Sequence, residues 1–191
     1  MNEYFLEYFD KATNTMNRIQ EKTKDIQIIT ETILDSLLKG GTVYWFGNGG
    51  SASDAEHLAA ELGGKYRIER KPLRSFALTS NSSLITAIAN DFGFDQIFSR
   101  QIEACAMPGD VVIGISTSGK SRNVVLGLER GREMGAKTIA LIGEAEGVGN
   151  IAECVLRIPS NVTSHIQECH IAVGQAICGY IENEMYSRGL I

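Results

Sequence analysis

Val111-Val112-Ile113-Gly114-Ile115, followed at once by Ser116-Thr117-Ser118-Gly119-Lys120-Ser121, is the stretch whose reading decides the fold. A short apolar run rich in β-branched residues, with no polar alternation, reads as a strand buried on both faces. The serine–glycine turn behind it opens a helix expected over residues 121–134. The same arrangement occurs upstream. Residues 43–46 read as a buried strand, Gly47-Asn48-Gly49-Gly50-Ser51 as a tight turn, and residues 51–66 as a helix. Strand–turn–helix units in series need crossover connections, so they predict a parallel sheet covered by helices on both faces.

The rest of the chain extends that pattern. Residues 3–38 read as helical, because Ile26, Ile29, Ile33 and Leu37 recur at three- and four-residue spacing, and Gly40-Gly41 ends the segment. Further strands are expected at 75–78, 138–142 and 154–158, and further helices at 82–89, 95–104 and 163–188. Asn90-Asp91-Phe92-Gly93 reads as a turn and residues 143–149 as a loop. The expected fold class is α/β: a three-layer, doubly wound parallel sheet flanked by helices. One domain is expected over residues 1–191, with 1–39 as its N-terminal helical segment. Ligands of such sheets bind beyond the carboxyl ends of the strands, where both serine–glycine turns fall.

Composition excludes several function classes. With a formal net charge of −5 the chain lacks the basic footprint of a nucleic-acid binder. No apolar run is long enough for a bilayer, so no membrane partner is expected. Met1-Asn2-Glu3-Tyr4 lacks the basic-then-apolar pattern of a signal peptide, which leads to an expectation of a cytoplasmic protein. Cys105, Cys154, Cys169 and Cys178 form no CxxC pair and read as free thiols.

A helix N-terminus with free N–H groups and nearby hydroxyls is a ready anion site, and this chain offers two. Residues 114–121 match the nucleotide-binding pattern GxxxxGK[ST]. That chemistry also needs an acidic residue ending a later strand to hold magnesium. The best candidate, Glu144, lies in a glycine-rich loop, and a nucleotide reading leaves the first turn unexplained. A phosphate monoester held by the Ser116, Ser118 and Ser121 hydroxyls needs no magnesium. Beside the first turn, His57 and Glu61 stand four residues apart on one helix face. Glu61 is the candidate general base, and His57 a candidate metal ligand.

At this point the chain resembles the sugar isomerase (SIS) domains and, within them, the phosphoheptose isomerases. The resemblance rests on residues 47–55, His57 with Glu61, Asn90-Asp91-Phe92-Gly93-Phe94, Phe98-Ser99-Arg100-Gln101, residues 109–111, residues 114–121 and Ile166-Gln167-Glu168. It implies an aldose–ketose isomerase that converts sedoheptulose 7-phosphate to D-glycero-manno-heptose 7-phosphate by enediolate proton transfer. Heptose biosynthesis for a lipopolysaccharide or capsule is the implied pathway. The resemblance puts Glu61 and His57 in catalysis. It puts Asn48, Gly49, Gly50, Ser51, Asn90, Asp91, Ser116, Thr117, Ser118, Ser121 and Gln167 on the substrate. It also implies a homotetramer, and zinc held by His57, Glu61, Gln167 and the residue eight places after that glutamine. The family has histidine there; this chain has Gln175, a weaker zinc ligand that cannot transfer protons near neutral pH. His165 and His170 read as structural. Two other readings share these residues: an isomerase of another sugar phosphate, and a non-catalytic sugar-phosphate- or protein-binding SIS protein. The retained His57/Glu61 pair argues against the second.

Overall fold

A computed structural model describes residues 1–144 and 152–191. Five parallel strands form one sheet in the order β2-β1-β3-β4-β5, with β1 Val43–Gly47, β2 Ser75–Ala77, β3 Val111–Ser116, β4 Lys137–Gly143 and β5 Cys154–Ile158. The α/β fold class therefore stands as expected. The seven helices among the described residues are α1 Asn2–Arg18, α2 Thr23–Leu38, α3 Gly50–Gly63, α4 Ser82–Phe92, α5 Ser99–Cys105, α6 Arg122–Glu133 and α7 Thr163–Ser187. Of the loop expected over 143–149, residues 145–149 lie outside the described residues.

Burial on both faces explains the unbroken apolar runs. Along β1, Val43 and Trp45 join a core with Ile29 and Ile33 of α2, Leu58 of α3 and Ile177 of α7. Tyr44 and Phe46 join the opposite core with Ile88 of α4, Ile102 of α5 and Leu128 of α6. The period of two along the strand thus assigns alternate side chains to two helical layers. At the amino ends of the strands, buried Asp110 accepts hydrogen bonds from the Thr42 N–H (2.7 Å) and the Met107 N–H (2.8 Å), tying β1 to the entry of β3.

Several boundaries differ from expectation for local reasons. The N-terminal helical segment is two helices joined by a 3-10 turn at Ile19–Lys22, because buried Thr15 and Ile19 seat the joint on the body. Helix α3 stops at Gly63 rather than 66, since Gly63-Gly64 is a weak continuation and an added Cβ at Gly63 would sit 3.3 Å from the Ser75 carbonyl oxygen. Asn90 and Asp91 belong to the last turn of α4. The expected turn is displaced to Gly93, whose φ of 90° suits glycine. The helix expected over 95–104 is a 3-10 turn, Phe94–Gln96, followed by α5.

All four cysteines are free, Cys169 and Cys178 being buried. His165 and His170 are buried on α7, and the His165 ring meets Tyr8 edge-on at 4.8 Å. Neither ring nitrogen of His170 has a hydrogen-bond partner among the described residues. Burial pulls its pKa down to about 4, against a weaker opposing pull from the Ile142 backbone. In the unfolded chain the imidazole titrates near 6.5. Between those values the unfolded state binds the extra proton, so stability falls as pH drops through that window. Wild-type protein should lose about 2 kcal/mol from this group between pH 7 and pH 5. His170→Leu should lose correspondingly less, as read by urea unfolding at the two pH values. Equal losses would show that His170 is not held neutral.

Candidate active site

Both serine–glycine turns stand at the carboxyl edge of the sheet, one after β1 and the other after β3, and those strands are neighbours. Their helices leave to opposite faces, so a crevice opens between the turns. Tight packing forces glycine at the first turn. A Cβ on Gly47 would lie 2.7 Å from the Ile115 carbonyl oxygen, and Gly49 has φ of 56° and ψ of −122°. A Cβ on Gly50 would lie 2.6 Å from the Gln167 amide nitrogen, so glycine here lets the Gln167 side chain of α7 lie on the start of α3. Ser51 is buried in the first turn of α3.

In the second turn the Ser116 hydroxyl donates to the Ser121 hydroxyl at 3.1 Å, and Ser118 Oγ accepts from the Lys120 N–H at 3.2 Å. Gly119 has φ of 63°, and its N–H returns to the Ser116 carbonyl at 3.0 Å. Ser121 is the N-cap of α6, but its side chain caps no N–H. Thr117 lies between buried Ser116 and exposed Ser118. The two turns are joined by a reciprocal amide pair. Asn48 Nδ2 donates to Asn123 Oδ1 at 2.8 Å, and Asn123 Nδ2 donates to Asn48 Oδ1 at 2.9 Å. Asn123, buried near the start of α6, is a residue that sequence reasoning missed. Its signal was its place two residues past the second turn.

His57, Glu61 and Gln175 come together across α3 and α7. His57 Nε2 lies 3.0 Å from Glu61 Oε1, and the Gln175 amide nitrogen lies 3.0 Å from His57 Nε2 and 3.5 Å from Glu61 Oε1. Glu61 is mostly covered, with 19% of its side chain exposed against 51% for His57. Asp54, one turn before His57 on α3, was also missed, although 54, 57 and 61 share one helix face. One of its carboxylate oxygens is buried with no hydrogen-bond partner among the described residues. Burial pushes its pKa up to about 6, with the His57 charge pulling the other way.

The Gln167 amide lies against Gly50 at the start of α3. Asn90 and Asp91 are exposed and bond to each other, Asn90 Nδ2 donating to Asp91 Oδ1 at 2.8 Å; among the described residues no hydrogen bond ties them to either turn.

The fit of a metal ion follows from the trio. Among the described residues no group of three or more His, Cys, Asp or Glu side chains is placed to hold one. The Gln175 amide is the third vertex of a triangle with edges of 3.0, 3.0 and 3.5 Å. Tetrahedral ligand atoms about 2.1 Å from zinc stand about 3.4 Å apart. The set fits zinc once the Gln175 amide turns its oxygen inward, with an imidazole and a carboxylate as the strong donors.

The sequence profile of the SIS domain matches residues 7–143. A phosphoheptose isomerase of Akkermansia muciniphila is 41% identical over 187 residues, covering 97% of this chain and 99% of that protein. The phosphoheptose isomerase of Aquifex aeolicus is 50% identical over 157 residues, 82% of each. The solved structure of the phosphoheptose isomerase from Neisseria gonorrhoeae superposes with a TM-score of 0.88 at 34% identity, covering 95% of this chain and 98% of that one.

Asn123→Asp tests the joint between the turns. The new carboxylate oxygen faces the Asn48 carbonyl oxygen in place of the donated hydrogen bond. The unfolding free energy should fall by about 1–3 kcal/mol in chemical denaturation. An unchanged midpoint would show that the amide pair does not hold the turns together.

Proposed function

This chain belongs to the phosphoheptose isomerases of the SIS-domain family, and we propose that it interconverts sedoheptulose 7-phosphate and D-glycero-manno-heptose 7-phosphate. The observation that carries this reading is the convergence of Glu61, His57 and Gln175 on α3 and α7, the former helix springing from the first phosphate-type turn.

The reaction moves hydrogen between C1 and C2 of the sugar. A base takes a proton from C1 of the ketose, the C–H electron pair becomes the C1=C2 bond, and the C2 carbonyl oxygen takes up negative charge. Returning a proton to C2, and moving the O1 proton to O2, completes the aldose. Glu61 is the proposed base, since its carboxylate is largely shielded from water yet open on the side of His57. His57 orients that carboxylate. Gln175 has no proton to exchange near neutral pH, so Glu61 carries the proton both ways. The phosphate, far from C1 and C2, is the handle that fixes orientation. The second turn, with the hydroxyls of Ser116, Ser118 and Ser121 and the uncapped N–H groups of α6, suits it. Asn48, Gly49, Gly50, Ser51, Asn90, Asp91, Thr117 and Gln167 complete the proposed substrate contacts.

The proposal includes one zinc ion, with His57 and Glu61 as principal ligands and Gln175 and Gln167 as amide-oxygen donors. When bound, it would polarise the sugar oxygens and stabilise developing negative charge. The proposed assembly is a homotetramer. In support, Tyr4, Phe5, Leu6 and Phe9 on α1 stay exposed in the single chain. No helix among the described residues is long and apolar enough to cross a membrane. A cytoplasmic enzyme feeding heptose biosynthesis is the role that accords with this.

Two variants test the chemistry. Glu61→Gln should lower kcat on sedoheptulose 7-phosphate by about 10²–10⁴-fold while the sugar phosphate still binds. A near-normal rate would remove Glu61 as the base. Gln175→His should tighten zinc binding about tenfold or more in a chelator competition titration, because imidazole is the better ligand. Unchanged affinity would take position 175 away from the metal.

A further inference from the structure

Helix α3 ends two residues after Glu61, and the last carbonyls of a helix have no donors within it. Here the donors come from Arg70. Its Nη2 donates to the Glu61 carbonyl oxygen at 2.8 Å, and its Nη1 donates to the carbonyls of Leu62 (2.9 Å), Gly64 (3.1 Å) and Lys71 (3.0 Å). Its Nε donates to Glu182 Oε2 at 2.7 Å. Glu182, on α7, also accepts the N–H groups of Tyr66 (2.9 Å), Arg67 (2.6 Å) and Ile68 (2.9 Å). The two side chains are closed to solvent, at 0% and 1% exposure. A buried ion pair is tolerated when its remaining donors and acceptors are satisfied, and here they are.

Placement gives this pair a role beyond holding a loop. One guanidinium arm is fixed to the backbone carbonyl of Glu61 itself. Glu182 follows Gln175 by seven residues, two turns along the same face of α7. So α7 presents on one side the amide that meets His57 and Glu61 and the carboxylate that anchors Arg70. Leu58 fills the gap at Gly174, beside Gln175, where a Cβ would lie 2.4 Å from Leu58 Cδ1, and Tyr66 packs on Gly179, between Gln175 and Glu182. Leu58 sets the spacing of the helices; the charged clamp beyond it sets how α3 ends against α7. A slip of one residue's rise, about 1.5 Å, would break contacts of the 3.0 and 3.5 Å kind that define the trio.

We propose that Arg70 and Glu182 are positioning residues for the isomerisation, holding Glu61 at the place on α3 from which it meets His57 and Gln175. The proposal rests on the isomerase reading above. It acts through the Glu61 backbone and leaves the phosphate turns, at the other end of α3, untouched.

Arg70→Lys and Glu182→Asp test it. Lysine keeps a charge for Glu182 but cannot reach the Glu61, Leu62, Gly64 and Lys71 carbonyls together. Aspartate keeps the charge but withdraws it by one methylene. Each folded variant should lose about tenfold or more in kcat on sedoheptulose 7-phosphate, with KM within about twofold of wild type. In protein labelled with [15N]glutamine, the side-chain amide signals of Gln175 should shift in both variants. Those signals are assigned by their loss in Gln175→Glu. A pair that merely stabilises the fold would lower Tm and leave kcat and the Gln175 signals unmoved, which overturns the proposal. Failure of both variants to fold overturns it as well, because the pair is then a folding element. Wild-type protein in the same assay separates the two readings. If it does not turn over this sugar, the substrate assignment fails, and the Gln175 signals alone decide the positioning role.

Discussion

The pairing of β1 with β3 is the constraint on which the site depends. Each strand feeds a helix, and the chain leaves β1 toward β2 but β3 toward β4, so right-handed crossovers in opposite directions along the sheet send the two helices to opposite faces. Helix α3 therefore goes to the face of α2 and α7, and α6 to the face of α4 and α5. The backbone N–H groups that open each helix converge on the crevice between them. A small ligand with a phosphate at one end meets two sets of fixed dipoles that need no reorganisation to receive it. The Asn48–Asn123 amide pair then sets the distance between the turns, at the cost of taking much of the Asn48 side chain's hydrogen-bonding capacity from any ligand.

The second dependence is the parallel packing of α3 on α7. Glycines at two points serve this packing, Gly50 against the Gln167 side chain and Gly174 against Leu58, and Gly179 receives Tyr66 from the segment after α3. A Cβ at the first two would come within 2.6 Å of the Gln167 amide nitrogen and 2.4 Å of Leu58 Cδ1, so those side chains would have to shift. Polar contacts sit between these apolar and backbone ones, in the order Gln167, Gln175, Glu182 along α7. Helix α7 is thus a ruler for the helix that carries Glu61. A long, mostly buried helix suits that task, because its own hydrogen bonds fix the spacing of the three side chains.

Much of this was legible in the residues, and what was not has identifiable causes. Strand positions were plain because residues 43–46 and 111–115 are apolar without interruption, as burial on both faces requires. The turns were plain because glycine and serine cluster at strand ends. The division of the N-terminal helical stretch was hidden, since nothing at Ile19–Lys22 breaks helical propensity; tertiary contact of Ile19 decides it. The end of α4 was placed too early because Asn90-Asp91 reads as a turn, whereas Gly93 supplies the positive φ that terminates the helix. Asn123, Arg70 and Glu182 act across the fold, over separations of 75 and 112 residues. Periodicity and local motif cannot signal a partner at such range; the local signatures are the place of Asn123 two residues past the second turn and the helix face that Asp54 shares with His57 and Glu61.

Gln175 stands where the family resemblance implies histidine. An imidazole there would add a group able to hold or release a proton near neutral pH, beside His57, Glu61 and Asp54. An amide adds none, and it also removes a possible positive charge from a region that already holds two carboxylates. Burial raises the Asp54 carboxyl to about 6, against the opposing pull of the His57 charge. In the proposed mechanism, proton transfer at the sugar concentrates on one face of α3, with Glu61 serving both carbons in turn and Gln175 supplying a fixed dipole in place of a second acid. That arrangement asks more of geometry than of acid–base matching, and the buried Arg70–Glu182 clamp below it is the kind of rigid support such a site requires.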